Sequence, residues 1–251
     1  MIDLKGQRAL VTGGSRGIGA ATARLFARAG ADVAIGYRSR SEDAQRVVEE
    51  LKSEGVRAAA FAADVSTREG AEALVAATVG ELGGLDLFVA SAGVWPAIDV
   101  PVEQMAEEQW LNTMRENVDS IFYTTRAVAR SISSGGRIVL VSSTAGQRGE
   151  AYHADYGASK GAVISFTKSL AVELASRDVT VNSVAPGWVD TEMVAGVLTD
   201  AGRERVNAAI PLGRIAAPED IAGPIVFLCS ALARHITGEI LNVNGGSVLC
   251  G

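Results

Sequence analysis

The chain has 251 residues, of which 48% are hydrophobic and 21% charged, so it can bury a full core without disulfides or a structural metal. Its net charge of −6 and its lack of a basic run exclude the electrostatic attraction on which nucleic-acid binding depends. The sequence has neither a signal-peptide pattern nor an apolar stretch of the roughly 20 residues that span a bilayer, so we predict a cytoplasmic protein without a membrane segment.

Seven short runs of β-branched and apolar residues recur along the chain, with helical patterns between them. They are RALVTGG, ADVAIGY, RAAAFAADV, LDLFVASAG, GRIVLVSS, VTVNSVAP and GEILNVNGG. Most are apolar nearly throughout, which is typical of parallel strands covered by helices on both faces. We therefore predict an α/β fold in which one domain, residues 1–251, holds a doubly wound, seven-stranded parallel sheet.

Capping residues indicate where several of the helices begin and end. Ser66 and Glu69 have the spacing of a capping box, and Gly83 predicts the end of the same helix. Pro218 fits the first turn of a later helix, in which Pro224 predicts either a kink or a later start.

The least regular segment runs from Thr191 to Pro218 and follows a predicted strand. Ligands bind at the carboxyl ends of strands in open α/β sheets, so we predict a flap over the substrate around residues 191–218. The two cysteines, Cys229 and Cys250, belong to no CxxC or Cys/His cluster. This pattern predicts neither a disulfide framework nor a metal site.

A glycine-rich loop lies between the first predicted strand and the first predicted helix. In VTGGSRGIG, the loop contains Gly13, Gly17 and Gly19. Such a loop permits a tight turn, close approach of the backbone to pyrophosphate, and free N–H groups at the positive end of a helix. The spacing TGxxxGxG is wider than GxGxxG and also fits an ordinary glycine-rich turn, but its position favours dinucleotide binding.

The end of the second strand, GYRSR, indicates which dinucleotide binds. NAD sites carry an acidic residue about 20 positions after the glycine loop. Here Tyr37 stands at that place, followed by Arg38, Ser39 and Arg40, and the loop itself contains Arg16. Guanidinium groups suit a 2′-phosphate, although such arginines are also common as exposed loop charges. We predict NADP(H) in preference to NAD(H).

The run ADYGASKGAV places Tyr156 and Lys160 four positions apart, on one face of a predicted helix. Lysine is rare in this chain, which has 19 arginines and four lysines. A cation near a phenol favours the phenolate, so we predict that Lys160 lowers the pKa of Tyr156 toward neutrality. Tyr156 would then exchange a proton with a carbonyl or alcohol oxygen. The alternative is a solvated i,i+4 pair.

Two other polar features accompany this pair. Ser142 and Ser143 end the strand RIVLVSS, where a hydroxyl is placed to hold a substrate oxygen. Asn117 lies inside the helical pattern MRENVDSIF, although asparagine is a poor helix former. It is either a site residue or a residue that caps or kinks that helix.

With these motifs the sequence resembles the short-chain dehydrogenase/reductase family over essentially its whole length. The matching segments are TGGSRGIG (12–19), DV (64–65), SAG (91–93), Asn117, Ser143, YGASK (156–160), PGWVDTEM (186–193) and ITGEILNVNGG (236–246). Within the family it is most similar to the β-ketoacyl-[acyl-carrier-protein] reductases and related ketoreductases. The resemblance implies a Rossmann fold, reversible NADPH-dependent reduction of a ketone, and a homotetramer whose helices around 103–131 and 154–176 pair across interfaces.

The resemblance also implies roles for individual residues. Tyr156 is the expected acid/base and Ser143 orients the carbonyl. Lys160 lowers the pKa of Tyr156 and binds the nicotinamide ribose, while Asn117 supports a water leading to Lys160. Ser143 is preferred to Ser142 because it lies 13 positions before Tyr156, the separation typical of the family. The expected cofactor site comprises Gly13, Ser15, Arg16, Gly17, Ile18, Gly19, Tyr37, Arg38, Ser39, Asp64, Val65, Ser91, Ala92, Gly93, Tyr156, Lys160, Pro186, Gly187, Val189 and Thr191.

Two positions depart from the family pattern. Ala90 and Ser91 stand where the family usually has asparagines, and serine offers fewer hydrogen bonds than an amide. The resemblance also implies basic residues near the active-site mouth that meet an acidic carrier protein. Arg177 matches one of them, but the uncharged Ser134 stands at the other, and the net charge of −6 weakens steering of an acidic partner.

We therefore keep 3-oxoacyl-[acyl-carrier-protein] reduction as the best named prediction, with an alcohol, sugar or cyclic ketone as the alternative substrate. A non-catalytic dinucleotide sensor has no need of the four catalytic residues together. An epimerase or dehydratase with retained NAD usually needs an added substrate domain. Residues beside the motifs that could face the substrate are Val94, Trp95, Ala145, Gln147, Glu150, His153, Trp188 and Met193; the two tryptophans among them suit an apolar or ring-shaped carbonyl compound.

Overall fold

A parallel sheet of seven strands forms the centre of the computed structural model, which describes residues 2–249. The strands are β1 (Arg8–Thr12), β2 (Asp32–Tyr37), β3 (Ala58–Ala62), β4 (Leu87–Ala90), β5 (Arg137–Val141), β6 (Thr180–Pro186) and β7 (Ile240–Val243). Their order is β3-β2-β1-β4-β5-β6-β7, and every neighbouring pair is parallel. The strand order reverses between β1 and β4, and in such sheets ligands bind at the carboxyl ends beside this reversal.

Helices cover both faces of the sheet, as predicted. They are α1 (Gly17–Arg28), α2 (Ser41–Ser53), α3 (Arg68–Leu82), α4 (Glu107–Met114), α5 (Ser120–Ser131), α6 (Thr144–Arg148), α7 (Ala154–Leu174), α8 (Asp200–Ala209) and α9 (Pro218–Leu228). Side chains of α1, α2 and α9 pack on one face, and those of α3, α5 and α7 pack on the other. In β1, the side chains of Ala9 and Val11 pack on the face covered by α1, α2 and α9, whereas Leu10 packs on the opposite face. This alternation explains why the strands are apolar throughout.

The capping-box prediction for α3 is wrong by one residue. Thr67 caps the helix, since its hydroxyl accepts a hydrogen bond of 3.1 Å from the Gly70 N–H. The Ser66 hydroxyl donates instead to Asp64, at 2.7 Å. Gly83 ends the helix as predicted, in the left-handed conformation with φ of 78°.

Helix α9 begins at Pro218, as its sequence predicts, and continues through Pro224 to Leu228. The alternative of a later start is therefore wrong. The first turn is held by the Asp220 carboxylate, which accepts a hydrogen bond of 2.8 Å from the Ala217 N–H. A proline in the first turn costs no hydrogen bond because that N–H has no partner within the helix.

The segment 191–218 is more regular than its sequence predicts, since it contains α8. Thr199 caps this helix by accepting a hydrogen bond of 3.3 Å from the Gly202 N–H. Both terminal nitrogens of the Arg203 guanidinium, Nη1 and Nη2, donate hydrogen bonds to the Asp190 carboxylate, at 2.8 and 2.7 Å. They connect α8 to the residues after β6. From here on, flap refers only to residues 191–199, the part of the predicted segment that precedes α8.

None of the helices within residues 2–249 is long and apolar enough to cross a membrane. Cys229 is buried with a free thiol, and its burial raises the thiol pKa to about 12. Cys250, the other cysteine, lies outside the described residues.

Candidate active site

Two adjoining cavities open at the carboxyl ends of the strands. The cofactor cleft is lined by Thr12, Gly13, Ser15, Arg16, Gly17, Ile18, Gly19, Gly36, Tyr37, Arg38, Ser39, Arg40, Ala63, Asp64, Val65, Ser91, Ala92, Gly93, Val94, Glu116, Thr191, Glu192 and Met193. The substrate cavity is lined by Ile18, Ser91, Gly93, Val94, Trp95, Val141, Ser142, Ser143, Thr144, Ala145, Arg148, Glu150, Tyr156, Lys160, Pro186, Gly187, Trp188, Val189, Thr191, Met193 and Val194. All the predicted cofactor residues line one cavity or the other.

The glycine loop forms the floor of the cofactor cleft, and its packing requires glycine. A Cβ atom added to Gly19 would lie 2.3 Å from the Gly13 carbonyl oxygen, and Gly17 has a φ of 53°. Within the described residues, the N-cap residue Arg16 makes no side-chain capping hydrogen bond to α1, and the first turn of this helix holds no acidic residue. The first backbone N–H groups of α1 are therefore free to bind an anion, and the loop fits the pyrophosphate of a dinucleotide.

Each predicted phosphate-binding arginine forms an ion pair with a carboxylate. Arg38 binds both oxygens of Glu116, at 2.6 and 2.7 Å. Arg16 and Arg40 both contact Glu192, at 3.0 and 2.9 Å. We did not predict either glutamate from the sequence. Their positions beside the motif residues Asn117 and Thr191 were the available signal.

The Asp64 carboxylate stabilises the turn after β3. One of its oxygens accepts hydrogen bonds from the Ser66 hydroxyl at 2.7 Å and from the Ser66 N–H at 3.0 Å. Hydrogen bonding to the Ser66 hydroxyl is the main cause that lowers the Asp64 pKa. Asp64 therefore stays ionised in the cleft, next to Val65.

A threonine from β1 holds the end of β4, where the family pattern usually has asparagines. The Thr12 hydroxyl oxygen accepts hydrogen bonds from the N–H groups of Ser91 and Ala92, both at 3.2 Å. Thr12 is itself buried, and it lies opposite Ala90 in the sheet. The departure at Ala90 and Ser91 therefore leaves the strand end joined to the glycine loop.

Asn117 is buried in a π-helical turn, Arg115–Asp119, that joins α4 to α5. Its amide accepts a hydrogen bond of 2.8 Å from the Val94 N–H and donates one of 2.9 Å to the Val94 carbonyl. It also donates one of 3.0 Å to the Ser159 hydroxyl in α7. The helix is therefore interrupted at Asn117, as its sequence allows, while the site role of Asn117 stays a prediction.

The two serines that follow β5 have different partners. The Ser142 hydroxyl is buried, donates to the Val184 carbonyl at 2.9 Å and accepts from Ser183 at 2.8 Å. The Ser143 oxygen accepts a hydrogen bond of 3.1 Å from the Ala145 N–H and so caps α6. Because an oxygen that accepts one bond still has a proton to donate, Ser143 is available to a substrate oxygen.

Tyr156 and Lys160 lie together in the substrate cavity beside Ser143. The Lys160 ammonium lies 5.7 Å from the centre of the Tyr156 ring and donates a hydrogen bond of 3.0 Å to the Val141 carbonyl. Burial lowers the Lys160 pKa to about 8. The solvated-pair alternative is therefore wrong, because Lys160 is buried and bonded to the end of β5.

The prediction that Lys160 brings the Tyr156 pKa toward neutrality is also wrong. Burial raises the Tyr156 pKa to about 12, the Ser143 hydroxyl opposes this shift, and the nearby Glu150 carboxylate adds to it. Removing a phenolate from water costs more than the hydrogen bond from Ser143 returns. Tyr156 is consequently a protonated acid at neutral pH.

Comparison with known proteins places the chain in a family. A family model described as enoyl-(acyl carrier protein) reductase matches residues 13–247. The 3-oxoacyl-[acyl-carrier-protein] reductase of Vibrio cholerae is 43% identical over 247 residues, 98% of either chain. The chain belongs to the short-chain dehydrogenase/reductase family. The resemblance inferred from its motifs and the oxidoreductase class that it implied are both confirmed.

Solved structures of other short-chain dehydrogenases/reductases share this fold. One from Brucella melitensis has a TM-score of 0.93 at 34% identity and covers 99% of both chains. A short-chain dehydrogenase from Burkholderia cenocepacia, solved in complex with NADP, has a TM-score of 0.91 at 37% identity and covers 97% of this chain and 98% of that one. The predicted Rossmann architecture is therefore confirmed.

Two tryptophans form an aromatic wall in the substrate cavity of this short-chain dehydrogenase/reductase. Trp95 contacts Trp188 edge to face, with ring centres 5.8 Å apart, and stacks on His153 at 5.0 Å. Six of the eight predicted lining residues do line the cavity, whereas Gln147 and His153 do not. Gln147 instead donates a hydrogen bond of 2.6 Å to Asn242, and His153 is buried behind Trp95.

Arg177 does not lie at the mouth of this cavity in the chain. It follows α7 and precedes β6, so it is at the amino edge of the sheet, opposite the site. Its guanidinium donates to the Ala129 and Ile132 carbonyls, and the Ser134 hydroxyl donates to the Arg177 carbonyl at 2.8 Å. Within its own chain, Arg177 therefore stabilises the carboxyl end of α5, and its match to a carrier-binding position stays a prediction.

Proposed function

We propose that this short-chain dehydrogenase/reductase reduces a ketone to a secondary alcohol with NADPH, and that its substrate is a 3-oxoacyl thioester carried by acyl carrier protein. The convergence of Ser143, Tyr156 and Lys160 in one cavity that adjoins the glycine loop is the observation that carries the proposal. The names of the 38–43% identical relatives, all 3-oxoacyl-[acyl-carrier-protein] reductases, support the substrate.

The chain's own residues supply the proton and hold the substrate oxygen. NADPH, which the glycine loop and the arginines of the cleft would hold, would supply a hydride to the carbonyl carbon. Tyr156, protonated because its pKa is about 12, donates its proton to the developing alkoxide. Ser143 donates a hydrogen bond to the same oxygen, where negative charge accumulates. The Lys160 ammonium, with a pKa of about 8, is mostly charged at neutral pH and stabilises the phenolate left behind.

Asn117 acts as a positioning residue in this mechanism. Its amide joins Val94, on the wall of both cavities, to Ser159 in α7, the helix that carries Tyr156 and Lys160. This bridge fixes the catalytic helix relative to the cofactor cleft. A fixed geometry matters because a misplacement of about 1 Å costs roughly 100-fold in rate.

The substrate proposal is tested with a panel of carbonyl compounds and NADPH. We expect acetoacetyl thioesters of acyl carrier protein to be reduced with a kcat/KM at least about tenfold above that of cyclic ketones, quinones and sugars, a difference of ~1.4 kcal/mol in transition-state binding. NADPH oxidation is followed by absorbance. A preference for any of the other ketones contradicts the thioester substrate. Faster reduction of a crotonyl thioester would instead assign the enoyl reduction that the family model's description names.

NADPH is the proposed cofactor because Arg16, Arg38 and Arg40 converge on the cleft beside Tyr37, where an NAD site would carry an acid. We expect Arg38→Asp to raise the dissociation constant of NADPH by about tenfold or more, since a charge-assisted contact becomes a repulsion. The dissociation constant of NADH should change by less than about twofold. Both constants are measured by calorimetry.

A matched control makes the same charge change outside the cleft. Arg46 lies in α2, is exposed and pairs with Asp43. Arg46→Asp should leave both constants nearly unchanged. If Arg38→Asp weakens NADPH and NADH equally, Arg38 does not recognise the 2′-phosphate.

We also propose that the chain assembles as a homotetramer through α4, α5 and α7. Exposed apolar side chains on these helices support the proposal, namely Trp110, Leu111, Phe122 and Val172. The cytoplasmic location inferred from the sequence stays a prediction, as do the roles of the individual cofactor residues.

A further inference from the structure

Glu192, the second residue of the flap, joins three separate segments across the cofactor cleft. Its carboxylate oxygen Oε2 lies 3.0 Å from Nη1 of Arg16 in the glycine loop and 2.9 Å from Nη1 of Arg40 after β2. The three side chains are 42–54% exposed, so solvent screens the pairs and their exchange for another anion is cheap.

These two arginines belong, with Arg38, to the three to which we assign the cofactor's 2′-phosphate. A carboxylate and a phosphate bind guanidinium groups with the same geometry, so they compete for the same nitrogens. We propose that Glu192 determines specificity for the cofactor. Its carboxylate competes with the 2′-phosphate for Arg16 and Arg40, and it is displaced when the phosphate binds. The inference rests on the proposed use of NADPH and goes beyond it.

The second glutamate of the cleft differs from Glu192 in its surroundings. Glu116 belongs to the π-helical turn and only 11% of its side chain is exposed, so it holds Arg38 from a rigid element. Glu192 belongs instead to the flap, which has no helix until α8. A carboxylate on such a segment can leave its arginines without disturbing the core.

Displacement of Glu192 has a consequence for the substrate cavity. Its neighbours Thr191 and Met193 line both cavities. The Thr191 side chain packs on the glycine loop, since a Cβ atom added to Gly17 would lie 3.3 Å from its methyl group. Asp190, bound to Arg203, anchors the start of the flap. We therefore expect phosphate binding to move residues 191–199 and, with Thr191 and Met193, part of the wall of the substrate cavity.

The test compares Glu192→Gln with a matched control, Glu50→Gln. Glu50 is also an exposed glutamate paired with an arginine, Arg24, but it lies in α2 and does not line the cleft. We expect Glu192→Gln to tighten NADPH binding by about threefold or more, the size of an exposed ion pair, and to leave NADH binding within about twofold. Glu50→Gln should change neither dissociation constant.

Adenosine 2′-phosphate and adenosine 5′-phosphate serve as probes that carry no nicotinamide. Hydrogen exchange of the backbone amides at 191–199 should become faster when adenosine 2′-phosphate is added to the unsubstituted chain. In Glu192→Gln this exchange should already be fast without the probe. The 5′-phosphate should leave this exchange unchanged. An unchanged ratio of NADPH to NADH affinity in Glu192→Gln, or slower flap exchange with the 2′-phosphate, overturns the inference.

Failure of this inference can be told apart from failure of the proposed cofactor. If the unsubstituted chain binds NADH as tightly as NADPH, the cofactor proposal is wrong. If it prefers NADPH but Glu192→Gln has the same preference, the arginines bind the phosphate without competition from Glu192.

Discussion

Tyr156→Phe is expected to lower kcat for ketone reduction by about 10³-fold, within the range that general acid catalysis contributes. Phenylalanine keeps the ring that packs in the cavity and removes only the hydroxyl that donates the proton. The dissociation constant of NADPH should change by less than about twofold, because the glycine loop and the arginines of the cleft are untouched. Single-turnover kinetics of NADPH oxidation measures the chemical step directly.

Tyr152→Phe is the matched control for this experiment. Tyr152 lies four positions earlier, is 55% exposed and does not line the substrate cavity. Loss of its hydroxyl should leave kcat within about twofold of the unsubstituted enzyme. Full turnover in Tyr156→Phe would remove Tyr156 from the chemistry, and equal losses in both variants would point to a general loss of structure.

Gly19→Ala is expected to raise the dissociation constant of NADPH by about 10- to 100-fold, equivalent to the ~1–3 kcal/mol that overpacking costs. The new Cβ atom would lie 2.3 Å from the Gly13 carbonyl oxygen and 3.2 Å from the Cα atom of Gly14. Both neighbours are backbone atoms of the glycine loop, so the loop itself must move. Isothermal titration with NADPH measures the effect on binding, and urea unfolding measures the effect on stability.

Gly80→Ala provides a control with the same chemical change. Gly80 lies in α3, and a Cβ atom added there meets no atom within 4 Å. Since alanine is the better helix former, this variant should be more stable by ~0.5–1 kcal/mol and should bind NADPH normally. Normal NADPH affinity in Gly19→Ala would mean that the close packing of Gly19 on Gly13 is not needed for the site.

The sequence alone determined the architecture and the position of its motif residues at the two cavities. Uninterrupted apolar runs are produced by burial on both faces of a parallel sheet, so all seven strands were identified. Motif residues that follow different strands met in one place, because the carboxyl ends of parallel strands share one edge. The i,i+4 spacing of Tyr156 and Lys160 likewise fixed their common helix face.

The tertiary structure alone decided properties that depend on what distant segments bring to a residue. The Tyr156 pKa rises to about 12 because the surrounding cavity excludes water, and no local spacing encodes this exclusion. The hydroxyl of Ser142 is hydrogen-bonded to Ser183 in β6, 41 positions away, whereas that of its neighbour Ser143 accepts only from the nearby Ala145 N–H among the described backbone groups.

The tertiary structure also decided which carboxylates pair with the arginines of the cleft. Arg16 and Glu192 are 176 positions apart, and Arg38 and Glu116 are 78 apart. Arg177 precedes β6, and a parallel sheet places that end of the strand away from the site, so its position could have been predicted from the sequence. Periodicity and spacing express the local rules of helices and strands, whereas desolvation and ion pairing arise only when the folded chain brings remote groups together.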